Sequence, residues 1–377
     1  MNEYKTFQEF KLNYFDCLII FLAILFKYLI NFGMQPRYMY SYLLGICLLT
    51  LINIYYKKFT INEFNKIILF FSLSTYFVVV YKNANFLISF LLAVICIRRN
   101  NKDFIKIFFI SSLILYLSTI LLSMFGILHS NEMIRIVDGT INKRTSLGFT
   151  HPNEVFLYFI PIALCGYYLY GNKFTYYIIL IATSSVLYKL SYCRTGYITV
   201  LCVVGLNFFK NILIKFKLKN ILPYTMVVLT IISIFIAKLY GNDLDNNISN
   251  LLSQRPNLWN YYIKNGYMLS ILGKGIHPDY IMDNFYLFLL VEMGITGYFI
   301  YFIIYYKSLK HLRHDIKLLI IILIFYIYGL TETNIIIGSI QFVFALQIKS
   351  IIINNKKINK EDKYNGWKIS INYNTYL

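Results

Sequence analysis

The chain has 377 residues, of which 58% are hydrophobic and only 14% are charged. A water-soluble globular domain contains roughly 45–50% apolar and ~25% charged residues, so this composition excludes a soluble enzyme. The 36 Lys and Arg residues against 17 Asp and Glu residues give a net charge of +19, but the basic residues lie mainly between apolar blocks, which indicates membrane topology rather than nucleic-acid binding.

The apolar blocks predict an all-α polytopic membrane protein with about 12 transmembrane helices, because most blocks are long enough to cross ~30 Å of hydrocarbon. The predicted spans are about 14–32, 38–56, 66–81, 84–97, 104–128, 151–170, 174–191, 196–209, 221–240, 283–306, 318–331 and 334–352. They form a single transmembrane domain over 1–352, and a polar cytoplasmic tail follows over 353–377.

Basic residues alternate between the two sides of the predicted membrane. With the N-terminus inside, the inner segments hold most of the Lys and Arg residues, whereas the short outer turns near Arg37, Lys82 and Arg194 hold one each. The positive-inside rule therefore predicts a multi-pass protein of the bacterial cytoplasmic (inner) membrane with both termini in the cytoplasm.

Only two predicted extracytoplasmic loops are long, at about 129–150 and 241–282, and long connections are often functional. The second contains a predicted short amphipathic helix, since Pro256 stands near a helix start. Four apolar residues share one face of this helix: Leu258, Trp259, Tyr262 and Ile263. We expect it to lie at the outer interface with its Trp and Tyr at the level of the lipid headgroups.

Three arginines in the predicted outer segments indicate an anionic substrate. Arg194 stands at the junction of two spans, where a buried guanidinium costs roughly 2.5–3.5 kcal/mol and needs an anionic partner. Arg144 leads into the sixth span, and Arg255 begins the amphipathic helix. A guanidinium donates paired hydrogen bonds to phosphate oxygens, so the three together predict a site for a lipid-linked phosphate or pyrophosphate. The alternative is that they are ordinary interfacial arginines.

The loop before the tenth span carries three candidate general bases, His277, Asp279 and Asp283, any of which is suited to take a proton from an attacking hydroxyl. Asp283 and Asn284 are alternatively the N-cap of that span.

Other polar residues near the outer ends of the predicted spans can be explained by structural roles. His151, Pro152 and Asn153 are compatible with a plain helix start before the sixth span. Glu332 is a lone acid near the last outer turn and a candidate partner for an arginine. The spans contain no His or acidic pairs at ligand spacing, so we expect no metal site and no cofactor.

Four strings occur in the order seen in Wzy-type polymerases, which polymerise O-antigen and capsule repeat units: RTSLGFTHPN (144–153), SYCRTGY (191–197), SQRPNLW (253–259) and LGKGIHPDYIMDNFYLFLLVEMGITG (272–297). The chain resembles this family over about 14–352, both in span count and in the long outer loop before the tenth span. It is similar also to the related O-antigen ligases.

The resemblance implies a membrane-embedded, metal-independent glycosyltransferase. It implies that a glycan held on undecaprenyl pyrophosphate is transferred to the non-reducing end of the next lipid-linked repeat unit. Carried over by motif, Arg194 and Arg255 bind the donor pyrophosphate, and a base such as His277 or Asp283 deprotonates the acceptor hydroxyl. The residues expected to bind substrate are Arg144, His151, Asn153 and Asn284.

The expected partners are the undecaprenyl-pyrophosphate-linked oligosaccharide, membrane lipid, and a chain-length regulator and flippase of the same pathway. In the ligase branch a histidine commonly precedes the asparagine that opens the tenth span, whereas this chain has Asp283 there. A carboxylate at this place looks more like a polymerase. The alternatives are an O-antigen-type ligase, another membrane glycosyltransferase, and a lipid-linked oligosaccharide flippase, which should carry charges along the middle of its spans.

Overall fold

The computed structural model describes residues 2–57, 59–81, 84–137, 140–211, 218–242, 252, 254–274, 282–332 and 341–353. Within these ranges the chain forms fourteen α-helices, one short 3-10 helix (Tyr267–Leu269) and a two-stranded sheet. The helices are α1 (Asn2–Asn31), α2 (Pro36–Tyr55), α3 (Ile61–Tyr81), α4 (Asn85–Ile95), α5 (Asn101–Met124), α6 (Pro152–Tyr170), α7 (Phe174–Ser191), α8 (Arg194–Phe208), α9 (Leu218–Tyr240), α10 (Arg255–Lys264), α11 (Phe285–Glu292), α12 (Gly294–Leu312), α13 (Ile316–Tyr328) and α14 (Gln341–Ile352).

The structure is helical and compatible with a multi-pass membrane protein. Among the described residues, five helices are long and apolar enough to cross a membrane: α2, α3, α5, α7 and α9. Their outward faces carry exposed apolar side chains such as Ile68, Val79, Ile179 and Phe235. So much contiguous apolar surface is typical of contact with hydrocarbon. Each of the twelve predicted spans contains a described helix, while the number of membrane crossings remains a prediction.

The predicted span 283–306 is two helices rather than one. α11 ends at Glu292 and α12 begins at Gly294, whose φ is +65°. At the break, the backbone N–H of Ile295 donates to the carbonyl of Ser270 at 3.1 Å. A Cβ at Gly294 would overlap the backbone of this preceding loop. The close approach of two backbone segments therefore requires glycine and divides the helix.

Short helices that are apolar on every side form the centre of the bundle. All eleven residues of α4 are buried, and most residues of α11 and α13 are buried as well. This agrees with their sequences, since a helix without a polar face packs against protein or lipid all round. Aromatic rings fill the contacts, with Phe77 stacked on Phe86 (centroids 4.6 Å apart) and Tyr301 on Phe344 (5.0 Å).

The predicted loop at 129–150 contains a β-hairpin, so the all-α prediction is incomplete. Strand β1 (Glu132–Val137) pairs antiparallel with β2 (Thr140–Thr145), and Met133 lies opposite Arg144. The sequence does contain a hairpin signal, an Asp-Gly dipeptide at 138–139 between two alternating apolar runs. The hairpin holds Arg144 at a fixed place instead of on an irregular loop.

The chain segments that carry the candidate site and the lysine-rich connections lie at opposite ends of the bundle. α6, α8 and α13 pack against one another and join these ends. They contain 19, 15 and 13 residues, which corresponds to lengths of about 28, 22 and 20 Å at 1.5 Å per residue. Each of these three helices therefore has a site residue near one end and a basic segment near the other.

A buried ion cluster ties several helices together at the lysine-rich end. Asp16 of α1 is 3% exposed and accepts hydrogen bonds from Arg99 Nε at 2.7 Å and Lys57 Nζ at 3.2 Å. Asn53 Nδ2 donates to the same carboxylate at 2.6 Å. One acid thus compensates two cations from the α2–α3 and α4–α5 connections, as a buried charge requires.

Candidate functional site

Arg144 joins three segments at the end of the bundle that carries the predicted site. Its guanidinium is buried, and Nε donates to the carbonyl oxygen of Ser191 at 2.8 Å. Nη2 donates to Asn153 Oδ1 at 2.6 Å. The hairpin is thereby connected to the start of α6 and to the end of α7, directly beside Arg194.

Arg194 is the first residue of α8 and is partly exposed. Its guanidinium forms no hydrogen bond or ion pair with any part of the chain that the structure describes. Two features place it: Tyr192 ends α7 in the left-handed conformation (φ 49°), and Gly196 lies so close to α6 that a Cβ there would overlap Phe156. The arginine is therefore held at a helix N-terminus, three residues after the Ser191 carbonyl that binds Arg144, with its hydrogen-bond donors available.

Arg255 is buried and pairs with two carboxylates. Its Nη2 lies 3.0 Å from Glu332 Oε1 and 3.2 Å from Asp283 Oδ2. Glu332 Oε1 also accepts a hydrogen bond from Thr195 Oγ1 at 3.0 Å, which connects Arg255 to the residue after Arg194. The prediction that Glu332 is the partner of an arginine is confirmed, and the arginine is Arg255. Thr195 was not predicted as a site residue, although it lies within the SYCRTGY string.

Strained backbone positions mark the same region. Over the described ranges, the non-glycine residues with positive φ are Leu147 (50°), Tyr192 (49°) and Gln254 (64°). Each stands within three residues of one of the three arginines. Such conformations cost roughly 1–3 kcal/mol each and cluster at functional sites, so they mark the surroundings of Arg144, Arg194 and Arg255, named here the arginine cluster, as a candidate site.

Burial and the arginines control the protonation of the acidic groups and of His151. Burial raises the pKa of Glu332 to about 7, against the opposing effect of Arg255. Burial likewise raises the pKa of Asp283, again opposed by Arg255. The pKa of His151 is lowered by burial and then by Arg144 and Arg255. At neutral pH the site therefore combines fixed arginine charges, a neutral imidazole and a carboxyl group that is ready to exchange a proton.

Three of the predicted substrate-binding residues also cap a helix or form a hydrogen bond with another side chain. His151 Nδ1 accepts a hydrogen bond from the backbone N–H of Asn153 at the start of α6, and Asn153 in turn holds Arg144. Asn284 is fully buried, caps α11 through Oδ1, and donates to Ser233 Oγ at 2.9 Å. The cap reading of Asn284 is therefore correct, and its polar atoms are engaged with the protein.

The amphipathic helix is present as α10, but its aromatic residues do not face a headgroup layer. Trp259 is 2% exposed and Tyr262 is fully buried, because α10 packs against α9 and the 3-10 helix. The expectation of an interfacial Trp and Tyr is wrong. The inward face of α10 instead positions Arg255 beside its two carboxylates.

Of the three candidate bases, Asp283 is described, and His277 and Asp279 lie outside the described residues. The side chain of Asp283 is 26% exposed, compared with 3% for Glu332. Asp283 is thus the carboxylate of the pair that a substrate can reach, while Glu332 fixes the arginine from within.

Comparisons of the chain with protein-family models, curated proteins and solved structures give no match. What the site can do chemically therefore follows from its own residues. It presents an available arginine at a helix N-terminus, which suits a phosphate group. A partly exposed carboxylate beside a second arginine suits proton transfer.

Proposed function

We propose that this chain is a polysaccharide polymerase of the cytoplasmic membrane, with its site facing outward. It would transfer a growing glycan from undecaprenyl pyrophosphate to a lipid-linked acceptor repeat unit, as a membrane-embedded glycosyltransferase for O-antigen or capsule. The observation that carries the proposal is Arg194, which has available donors beside the cluster of Arg255, Asp283 and Glu332.

In this proposal Arg194 is the main ligand of the donor pyrophosphate. Its guanidinium is available and stands at the positive end of α8, so two favourable electrostatic contributions coincide at one point. As the glycosidic bond breaks, negative charge grows on the departing pyrophosphate. An arginine fixed in advance stabilises that charge more than it stabilises the ground state, which is how it would accelerate the reaction.

Asp283 is the described candidate for the general base. Its carboxylate would accept the proton of the acceptor hydroxyl while that oxygen attacks the anomeric carbon of the donor sugar. Arg255 holds Asp283 at 3.2 Å and is itself held by Glu332 at 3.0 Å. We therefore assign Arg255 a second role besides contact with phosphate, namely the orientation of the base.

The test is the size profile of the surface polysaccharide on a gel. A deletion strain is complemented with the wild-type gene, with Arg194→Ala, or with Arg37→Ala, a control at an exposed arginine of another predicted outer turn. We expect the deletion to accumulate a single lipid-linked repeat unit. Arg37→Ala should restore long chains, and Arg194→Ala should lower the polymerisation rate about 100-fold at equal protein level.

Other outcomes would overturn the proposal in distinct ways. Long chains that accumulate without attachment would indicate a ligase. Repeat units that accumulate facing the cytoplasm would indicate a flippase. Full complementation by Arg194→Ala would refute the role of this arginine even if the deletion phenotype is that of a polymerase mutant.

A further inference from the structure

A second candidate binding site lies at the lysine-rich end of the bundle, away from the arginine cluster. It is a cavity of about 640 Å³, which falls within the range of roughly 300–1,000 Å³ found for small-ligand pockets. Its wall comes from the start of α5, the segment after α8, the ends of α12, α13 and α14, and the α6–α7 connection. These segments contribute Asn101, Lys210, His311, Lys317, Lys349 and Asn172, respectively.

The cavity carries more positive than negative charge. Four cationic residues line it, and one of them, Arg99, is already paired with Asp16. Among the described residues of the wall, the single acid is Asp315. Its carboxylate accepts a hydrogen bond from Tyr168 at 2.8 Å and caps α13 through the N–H of Leu318. The three remaining lysines therefore outnumber the one acid, which is itself occupied.

The lysines donate their hydrogen bonds to neutral groups, and two acids lie near them, Asp315 near Lys317 and Asp103 near Lys349. Lys349 is 5% exposed, and its Nζ donates to the carbonyl oxygen of Arg99 and to Asn101 Oδ1, which are both neutral. Lys317 donates to the carbonyl oxygen of Tyr168 at 3.0 Å. Within the described part of the chain, Lys210 has no hydrogen-bond partner, and none of the three forms an ion pair. Buried charges are normally paired, so these ammonium groups favour an anionic ligand.

Two helix N-termini also lie at the cavity, that of α13 capped by the Asp315 carboxylate and that of α5 capped by the neutral Asn100 side chain. α5 begins at Asn101 and α13 at Ile316, and both residues line the cavity. The N-terminus of a helix carries about half a positive charge and favours anions, phosphate in particular. Lysine ammonium groups are common phosphate ligands as well.

We propose that this cavity binds a phosphate-bearing anion. The phosphate could belong to the headgroup of an anionic phospholipid, since basic pockets between transmembrane helices on the cytoplasmic side bind such headgroups, or to a soluble phosphate. The proposal does not depend on the polymerase activity, because the cavity and the arginine site lie at opposite ends of α6, α8 and α13.

The experiment uses the full-length protein purified in detergent, with Lys210→Gln combined with Lys317→Gln. Lys106→Gln is the control, because Lys106 is exposed on α5 and does not line the cavity. One arm measures thermal unfolding in inorganic phosphate against chloride at equal ionic strength. The other measures retention of dioleoylphosphatidylglycerol against dioleoylphosphatidylcholine by native mass spectrometry.

We expect selective binding of the phosphate group by the wild type and by Lys106→Gln, and about tenfold weaker binding by the double variant, which corresponds to roughly 1.4 kcal/mol. Stabilisation by inorganic phosphate would identify a soluble ligand, whereas retention of phosphatidylglycerol alone would identify a lipid. If the double variant unfolds without ligand, Lys210→Gln alone serves, since it removes a charge without breaking a contact. Binding that is absent in the wild type, or unchanged in the variants, would refute the proposal.

Discussion

The coupling free energy between Arg255 and Glu332 should be much larger than that of an exposed ion pair of similar length. The two side chains are 10% and 3% exposed and their charged atoms lie 3.0 Å apart. A matched control is the pair of Lys143 and Glu132 on the hairpin, at 2.7 Å but with side chains 66% and 57% exposed. The comparison therefore separates the effect of burial from that of distance.

The magnitude follows from the contacts. A hydrogen bond to a charged group contributes about 1.5–3 kcal/mol, so we expect a coupling free energy of that size between Arg255 and Glu332. The control pair should give about 0.2–1 kcal/mol. The single variants should differ as well. Arg255→Ala leaves two neighbouring carboxyl groups without a cation, whereas after Glu332→Ala the arginine still has Asp283, so Arg255→Ala should destabilise more.

The assay is a double-mutant cycle on each pair, with equilibrium unfolding by SDS in mixed micelles as the readout. Alanine variants and their double combinations provide the coupling free energy without assigning it to either partner. If the Arg255 and Glu332 variants are additive to within about 0.5 kcal/mol, or if the hairpin pair couples as strongly, the reasoning from burial is refuted.

Three further predictions concern the surroundings of the site and the opposite end. Gly196→Ala should destabilise the protein by about 1–3 kcal/mol, because the added Cβ would overlap Phe156. Gly205→Ala in the same helix meets nothing within 4 Å and should be neutral or stabilising. Equal effects of the two variants in thermal unfolding would contradict the close approach of Gly196 to Phe156. Asp16→Ala leaves two buried cations without an anion and should lower the free energy of unfolding by about 3–5 kcal/mol. A smaller loss than that caused by alanine at Glu132, the exposed acid of the hairpin, would count against a stabilising role of the ion cluster around Asp16. Burial raises the pKa of Glu332 to about 7, so between about pH 4.5 and 7 the folded protein holds a proton that the unfolded chain releases. The free energy of unfolding should therefore fall as the pH rises through this range. Glu332→Gln should flatten this pH dependence in a series of unfolding curves, and an unchanged slope would exclude Glu332 as its source.

The helices were predictable because the length of each apolar block and the turn residues that bound it are local features of the sequence. Each of the twelve predicted spans contains a helix, and α10 begins at Arg255 as the position of Pro256 indicates. The division between α11 and α12 was not predictable, since it depends on a distant loop that packs against Gly294. The hairpin had a local signal at 138–139, but the apolar blocks around it dominated the pattern.

The candidate site was predictable in its residue types but not in its pairings. Sequence reasoning identified Arg255, Asp283 and Glu332 separately, and the structure brings both carboxylates within 3.2 Å of Arg255. The orientation of α10 was not accessible, because the periodicity of a helix shows which residues share a face but not whether that face meets lipid or protein. This is why Trp259 was placed at the membrane surface when it is buried.

The shortness of α8 and α13 has a consequence for the surrounding bilayer. α8 carries exposed apolar residues, among them Ile198 and Leu201, yet it is only about 22 Å long, compared with a hydrocarbon thickness of about 30 Å. Where this predicted span crosses the bilayer, the lipid beside it would have to thin to match, at a cost that grows with each ångström of mismatch. We therefore expect the lipid surface to dip next to Arg194, which would lower incoming lipid phosphates to the depth of this arginine, and we expect turnover to rise as acyl chains are shortened.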